Sequence, residues 1–420
     1  MTQARSGAES LNPDLEAMMK YAGGLEAELI AIRRDLHSHP ELLYDVARTS
    51  GKVAAHLELW GIEVRRNVGR HFGMGVTGTL RGTAGSGPVI LLRADMDALP
   101  ISELNELDYK SRNPGVMHAC GHDAHTAMLL GAAQTLAAFR HQLSGTVIFV
   151  FQPAEEGASR SPLDGRLLSG GRDMIEDGIL EGVDQCYALH VMPELAIGTL
   201  GIHPRYAMAA SSHFTVTFQG TAGHHSAPHE AVDAIQMAAR FVTEVNGLMA
   251  SGINPSEAAV LSFGTLRAGT AINVIAEHSE LTGTFRAFSK STVSRITEGL
   301  KRHAAAIAEA YGGSSSLELR EGIAVVNDAL SVQQMLVAAR KVLGDEQAYL
   351  LEQPSLAGED FGWYLDQVPG AFAFIGCGNA EQGNTHALHQ PLFNIDEAVL
   401  VHGARVLVRL AAQDYKAEIV

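Results

Sequence analysis

Short, almost wholly apolar runs set between amphipathic stretches constrain this chain more than any other feature. PVILLRA (88–94), GTVIFVF (145–151), QCYALHV (185–191) and AFAFIGCG (371–378) are strand-length and apolar on both faces. Such strands belong in a parallel or mixed sheet covered on both sides by helices. The intervening segments fit. Residues 25–40 space apolar groups by three and four and stop at Pro40, residues 47–60 stop at Gly61, and a third helix is expected over about 123–140. IEVRRNV and GVTGTLRG read as further strands.

Near residue 205 the pattern changes. HFTVTFQG (213–220) alternates polar and apolar, as a strand with one exposed face does. A helix (231–249), two strands (AAVLSFGTLRAG and HSELTGTFRAFS), a helix (291–311) and SSLELREGI follow. The order β-α-β-β-α-β is ferredoxin-like. Apolar α/β character then returns, with a helix over 328–343 and a last helix from about 395 to 412, for which Asn394 and Glu397 suit a capping box. The expected architecture is α/β: residues 1–204 and 324–420 form a large domain with helices on both faces of its sheet, and 205–323 form an inserted α+β domain.

Composition narrows the function classes. With 420 residues, 46% hydrophobic, the chain can bury a large core. Its charge, 31 − 47 = −16, argues against a nucleic-acid binder led by basic patches. Three cysteines at 120, 186 and 377, without CxxC spacing, make no disulfide framework or zinc-finger set. The N-terminus carries no apolar signal-peptide core and the first two dozen residues read as a loosely held lead-in, so a soluble, cytoplasmic protein is expected. The 19 histidines beside so few cysteines direct attention to metal sites.

MHACGHDAHTAML (117–129) is the strongest chemical segment. Cys120 and His122 stand at a loop-to-helix junction, where a helix N-terminus favours the metal-binding thiolate, and His118 and His125 are further candidates. In FVFQPAEEGA (149–158) two adjacent carboxylates follow an apolar strand. Neighbouring residues of an extended chain point to opposite sides, so one can bind a metal while the other faces substrate as a base. Asp95 and Asp97 in LLRADMDALP lie two apart and share a side, suited either to ligation or to orienting a ligand. His190 ends another strand and His389 precedes the last helix. A Cys, several His and paired Glu at α/β strand ends suit two divalent ions, and zinc, manganese or cobalt rather than calcium. Cys186 and Cys377 sit in apolar strands and read as core; Glu359 and Asp360 in GEDF suit either the support of metal ligands or a helix start, with the helix start preferred.

Two patterns fail on context. Gly73, Gly75 and Gly78 match G-x-G-x-x-G, but no apolar strand precedes them and no helix follows, which dismisses a dinucleotide-dependent oxidoreductase. His229-Glu230 begins like H-E-x-x-H, but the fifth residue is Asp233. A metal-storage protein has no need of an unligated carboxylate beside a ligating one.

The segments RRDLHSHPEL, LLRADMDALP, MHACGHDAHTAMLLGAA, FQPAEEG, ALHVMP, GHHSAPHEAVDAI, AINVIAEHSELTGTFRAF, AGEDF and LHQPLFNIDE run in order from about residue 28 to 412. In this the chain resembles the metallopeptidase-related amidohydrolases that include hippurate hydrolases, N-acyl-L-amino-acid amidohydrolases and plant auxin-conjugate hydrolases. The resemblance implies that Cys120, His122, Glu156, His190 and His389 hold two divalent ions, manganese first, with zinc or cobalt as alternatives, and that Cys120 bridges them. It implies Glu155 as general base, Asp97 as an orienting carboxylate, His224 as oxyanion stabiliser, and Asn273 and Arg286 as holders of the substrate carboxylate. It further implies a lid and dimerisation role for the inserted domain, a homodimer or higher oligomer, and His224 acting in its own or its partner's site. The implied reaction is hydrolysis of N-acyl-L-amino acids, with a dipeptidase or carboxypeptidase as the alternative on the same site. The chain departs from the family where Ala222 replaces the first Gly of Gly-Gly-His and where NVIA ends at Ala276 rather than Pro.

Overall fold

A computed structural model describes residues 14–413. The chain divides into two compact units: one from the stretch up to Arg205, Asn327–Glu352 and the stretch from Trp363 on, the other from Tyr206–Val326 and Gln353–Gly362. The segment 353–362, which the sequence reading left with the large domain, is part of the smaller unit.

The larger unit is built on an eight-stranded mixed sheet. Its spatial order is Glu63–Val68, Gly75–Arg81, Ser144–Gln152, Gly85–Asp95, Gln185–Ala196, Gly370–Gly378, Leu200–Ile202 and Ala348–Leu350. The central pairs are parallel, and the first two strands join antiparallel at one edge. Val147, Phe149 and Phe151 enter the main core, while Val150 and Gln152 on the opposite face are equally buried. That two-sided burial is why these strands read as apolar runs. Helix His122–Ala138 is buried on almost every side and packs against Glu26–His37, Val399–Ala411 and the strand Gly85–Asp95.

Two expectations are corrected here. Residues 15–24 are not a loose lead-in: Leu15–Gly24 is a helix capped by the Asp14 side chain, with Met18 and Ala22 fully buried. Residues 1–13 lie outside the described part. The last helix is Val399–Ala411, and its start has no Asn394–Glu397 capping box. Those side chains are occupied by arginines: Arg33 Nη2 donates to Asn394 and Arg34 grips Glu397 at 2.6 Å. Asp396 instead accepts the Ala398 N–H.

The smaller unit places Ala259–Ala268, His278–Ala287, Ala210–Gln219 and Ser314–Arg320 side by side, all antiparallel. This is the ferredoxin-like arrangement. Helices Ala234–Gly247 and Lys290–Tyr311, capped by the side chains of Asp233 and Ser289, cover one face. Phe214, Val216, Phe218, Leu281 and Phe285 pack beneath them with Met237, Phe241, Ile296 and Leu300, a core separate from that of the larger unit. No helix among the described residues is long and apolar enough to cross a membrane.

Arg33 ties the helices that carry the larger unit's chemistry. Fully buried, it donates to Asp123 at 2.8 Å and reaches Glu397 at 3.3 Å, and His37 also meets Asp123 at 2.8 Å. Burial raises the Asp123 pKa, but Arg33 and His37 outweigh it and hold the carboxyl far below its usual range. Arg33→Met leaves this buried carboxylate without its cation. The expected cost is about 3–5 kcal/mol, read as a lower urea midpoint at an unchanged m-value.

Candidate metal centre

Gly121 forms the junction from which helix His122–Ala138 starts, with φ at 84°. A Cβ there would lie 2.3 Å from Val191 Cγ2. Glycine therefore satisfies both the left-handed backbone and the close approach to the strand that carries His190. Cys120 and His122 are set on either side of this junction.

Cys120 Sγ lies 3.4 Å from His190 Nε2 and 3.3 Å from His389 Nε2. Glu156 Oε1 is 3.5 Å from His389 Nε2 and 3.8 Å from His122 Nε2. Cys120 thus belongs to two donor groups, one with His122 and His190 and one with Glu156 and His389, while Glu155 joins His122 and Glu156 in a third. The larger unit brings together every metal candidate that the resemblance implies.

The side chains fit a divalent cation. Both ring nitrogens of His122 and Oε1 of Glu156 are buried without a hydrogen-bond partner, a cost of about 1–3 kcal/mol per polar group if nothing else meets them. Burial pushes the Cys120 thiol well up, reinforced by Glu156, Glu155 and Asp95. Burial likewise raises Glu156. Burial opposes a charge on His122, yet Asp95, Asp97 and Glu156 raise its pKa to about 10. The His122 shift, and part of the Cys120 shift, report neighbouring negative charge, which a bound cation relieves. The mixed sulfur, nitrogen and oxygen donor set is that of a first-row divalent ion.

A surrounding layer orients these donors. Asp97 accepts the backbone N–H groups of Glu155 (2.9 Å) and Glu156 (3.2 Å), and its Oδ1 stands 3.6 Å from His122 Nδ1. Of the two uses open to Asp97 in the sequence, the geometry is that of an orienting carboxylate. Asp95 receives Arg93 at 2.7 Å and His125 Nδ1 at 2.6 Å. His125 Nε2 accepts the Val191 N–H at 2.9 Å, and His190 Nδ1 donates to the Val191 carbonyl at 2.7 Å. Both nitrogens of His125 are thereby used in holding the peptide next to His190, which leaves His190 Nε2 facing Cys120. Sequence reasoning gave His125 only as a further candidate ligand; the signal it lacked was the pairing with Asp95. His118 is buried with neither ring nitrogen hydrogen-bonded, and burial lowers its pKa to about 3. His389 (φ 63°) and Ala154 (φ 49°) are non-glycine residues in the left-handed region beside the donors, strain of about 1–3 kcal/mol each of the kind that collects at functional sites.

The remaining sequence candidates lie in the smaller unit. His224 and Asn273 share a two-stranded ribbon in which Gly223–His224 pairs with Val274–Ile275. His224 is exposed, and its Nδ1 meets Ser226 Oγ at 2.7 Å and accepts the Ser226 N–H at 3.2 Å, so Nε2 carries the proton. Arg286 stands on the sheet face that no helix of this unit covers. Glu359 accepts the Phe361 N–H at 2.8 Å, a capping role.

Residues 91–413 match the profile of peptidase family M20/M25/M40. A protein named probable hydrolase from Synechocystis is 37% identical over 95% of this chain and 98% of its own. An N-acetylcysteine deacetylase of Bacillus subtilis is 35% identical over 91% and 96%, and thermostable carboxypeptidase 1 of Saccharolobus solfataricus 34% over 93% and 96%. Among solved structures, a dinuclear metal-binding peptidase of Bacillus subtilis superposes with TM-score 0.75 at 33% identity, covering 93% of this chain and 99% of that one. The chain belongs to peptidase family M20/M25/M40 and is a metallo-amidohydrolase.

Gly121→Ala adds left-handed strain and a contact with Val191. We expect a loss of about 2–4 kcal/mol in unfolding free energy. Bound metal per chain, measured by elemental analysis after dialysis, should fall with it.

Proposed function

We propose that the protein hydrolyses the amide bond of N-acyl-L-amino acids to a carboxylic acid and a free amino acid. The observation that carries this reading is the pair Glu155–Glu156. Asp97 grips both backbone N–H groups, Glu156 stands among Cys120, His122 and His389, and Glu155, the residue before it, joins His122 and Glu156. In this reading Cys120, His122, Glu156, His190 and His389 hold two divalent ions, manganese first, with zinc or cobalt able to replace it. Such ions, when bound, polarise the amide carbonyl and acidify a coordinated water.

Glu155 accepts the proton of the attacking water and returns it to the leaving amine. Its backbone N–H is clamped by Asp97 next to Glu156, a position that suits both transfers. His224 Nε2–H donates to the developing oxyanion, in its own site or its partner's. Asn273 and the guanidinium of Arg286 hold the substrate carboxylate. The edge strand Ala259–Ala268, with Val260 and Leu266 exposed, favours pairing of the smaller unit with a second copy, hence a homodimer. Three buried, unpaired cysteines suit the cytoplasm.

A carboxypeptidase or dipeptidase activity on the same site is the second reading, favoured by the carboxypeptidase relative. A panel of N-acetyl, N-benzoyl and indole-acetyl amino acids, run beside dipeptides with a free amino terminus, separates the two. Amine release should stop on chelation, return with manganese, zinc or cobalt, and favour the acylated compounds. Faster cleavage of the dipeptides would reverse the order of the readings. Glu155→Ala should lower kcat by about 10²–10⁴-fold with bound metal unchanged; full activity in that variant would sink the assignment of the base. Cys120→Ser should reduce bound metal per chain and abolish the thiolate-to-metal absorption of the cobalt-substituted protein.

A further inference from the structure

Ala154, which precedes the carboxylate pair, and Leu43 both stand in the left-handed region, at φ 49° and 47°. They are joined to each other: the Ala154 N–H donates to the Leu43 carbonyl at 3.1 Å. The Leu43 side chain also packs against Gly157, where a Cβ would come within 2.8 Å of it. Leu43 thus meets the chain on both sides of Glu155–Glu156. Neither Ala154 nor Leu43 is glycine, so both are strained, and such strain persists only where the surroundings over-determine it. Asp97 holds the amides of Glu155 and Glu156 but not that of Ala154.

The groups that hold Ala154 lead away from the metal centre. Its carbonyl accepts the Gly170 N–H at 2.9 Å. Two residues earlier, the Leu168 carbonyl accepts the Tyr44 hydroxyl at 3.1 Å. Between Gly157 and Gly170 the chain forms a hairpin, with Ser159–Arg160 paired to Leu167–Leu168. His71, on the loop before strand Gly75–Arg81, fastens this hairpin. Its buried ring puts Nδ1 2.7 Å from Ser161 Oγ and Nε2 2.9 Å from Glu176 Oε2. Ser161 Oγ already accepts the N–H groups of Leu163 at 3.0 Å and Asp164 at 3.3 Å. Its own proton therefore goes to His71 Nδ1, and the Nε2–H goes to Glu176. A hydroxyl engaged in this way is a fastening and not a nucleophile, although Ser, His and Glu stand in line. The backbone N–H groups of His71 and Phe72 both go to Asp173, at 2.7 and 3.3 Å, which anchors the loop on helix Gly170–Glu176. Phe72 in turn stacks on Tyr44, ring centroids 3.8 Å apart. One loop thus secures both supports of Ala154: the hairpin through His71, and the segment of Leu43 and Tyr44 through Phe72.

We propose that His71 is a positioning residue for the carboxylate pair. The Ser161–His71–Glu176 clasp keeps the hairpin closed, the closed hairpin keeps Gly170 against Ala154, and Ala154 in its strained conformation aims Glu155 and Glu156. His71 acts at a distance, since its ring bonds Ser161 and Glu176, neither of them a metal candidate. Loss of the clasp acts locally: Ala154 relaxes toward an ordinary φ and the carboxylate pair turns with it, while the sheet stays intact. The effect on turnover rests on the reading of Glu155 as base; the effect on the backbone does not.

At saturating manganese, His71→Ala should lower kcat about 10–100-fold, as misplacement of a reacting group does, with KM little changed. Ser161→Ala, a smaller alteration, should act in the same direction. The decisive variant is Ala154→Gly in the His71→Ala background. Glycine takes the left-handed region without strain, so most of the lost kcat should return; a merely structural role for His71 predicts no return. Hydrogen exchange of the metal-free protein, read by mass spectrometry over residues 153–158, reports the turn without turnover. The Glu155 and Glu156 amides should exchange about tenfold faster in His71→Ala, as release of the strain at Ala154 implies. They should slow again in the double variant, with the urea midpoint little changed throughout. If Glu155→Ala keeps full activity, the base assignment fails and exchange alone decides the clasp; otherwise an unchanged kcat in His71→Ala overturns it. Unchanged exchange, or a double variant no better than His71→Ala, overturns it in either case.

Discussion

The structure of the larger unit turns on an unbalanced charge around Cys120. In groups drawn from separated parts of the chain, thiol, imidazole and carboxylate donor atoms meet within 4.8 Å of one another, and Cys120 is within hydrogen-bonding range of His190 and His389. They do so in a buried place, where each charged form is costly unless something compensates it. Without a cation the burden falls on His122, raised to about 10 by the surrounding carboxylates, and on a thiol and a carboxyl pushed upward. A fold that gathers such groups at the ends of buried strands spends stability on a site that only a positive ion makes comfortable. Membership of peptidase family M20/M25/M40, with a dinuclear metal-binding relative of matching fold, agrees with that electrostatic argument.

The donors depend on a second layer of side chains behind them. Asp97 and Asp95 leave the same strand end two residues apart and do different work. Asp97 fixes the turn that presents Glu155 and Glu156. Asp95 sets His125, which in turn holds the Val191 peptide whose carbonyl fixes the tautomer of His190. Farther out, Arg33 and Asp123 bind the donor-bearing helix to its neighbours inside the core. Orientation is thus passed through backbone amides as much as through side chains, which explains why buried carboxylates outnumber the positions at which an ion needs them.

The smaller unit is organised on a different principle. Its helices close one face over an apolar core of its own and leave the other face polar. Hydroxyl-bearing residues line that open face together with Arg286, Arg320, Glu280 and Glu318.

Much of this was legible in the residues. The apolar runs identify the sheet because only a doubly covered strand is apolar on both faces, and alternation in HFTVTFQG identifies a strand with one face open. Glu155 and Glu156 are recognisable as a pair because adjacency on an extended chain divides their directions. The capping box at Asn394 and Glu397 was misread because local pattern cannot see Arg33 and Arg34, hundreds of residues away, claiming both side chains. The lead-in was misread because the burial of Met18 is decided by what packs against it. By itself, then, the sequence determined which residues are capable of ligation, acid–base work and anion binding, since those are properties of single side chains and short spacings. Only the tertiary structure decided that His125 orients while His122 faces the donors, and that Arg320 lies opposite His213. Those choices are made by contacts between strands far apart in the chain, where register and burial select one use among the several that each side chain allows.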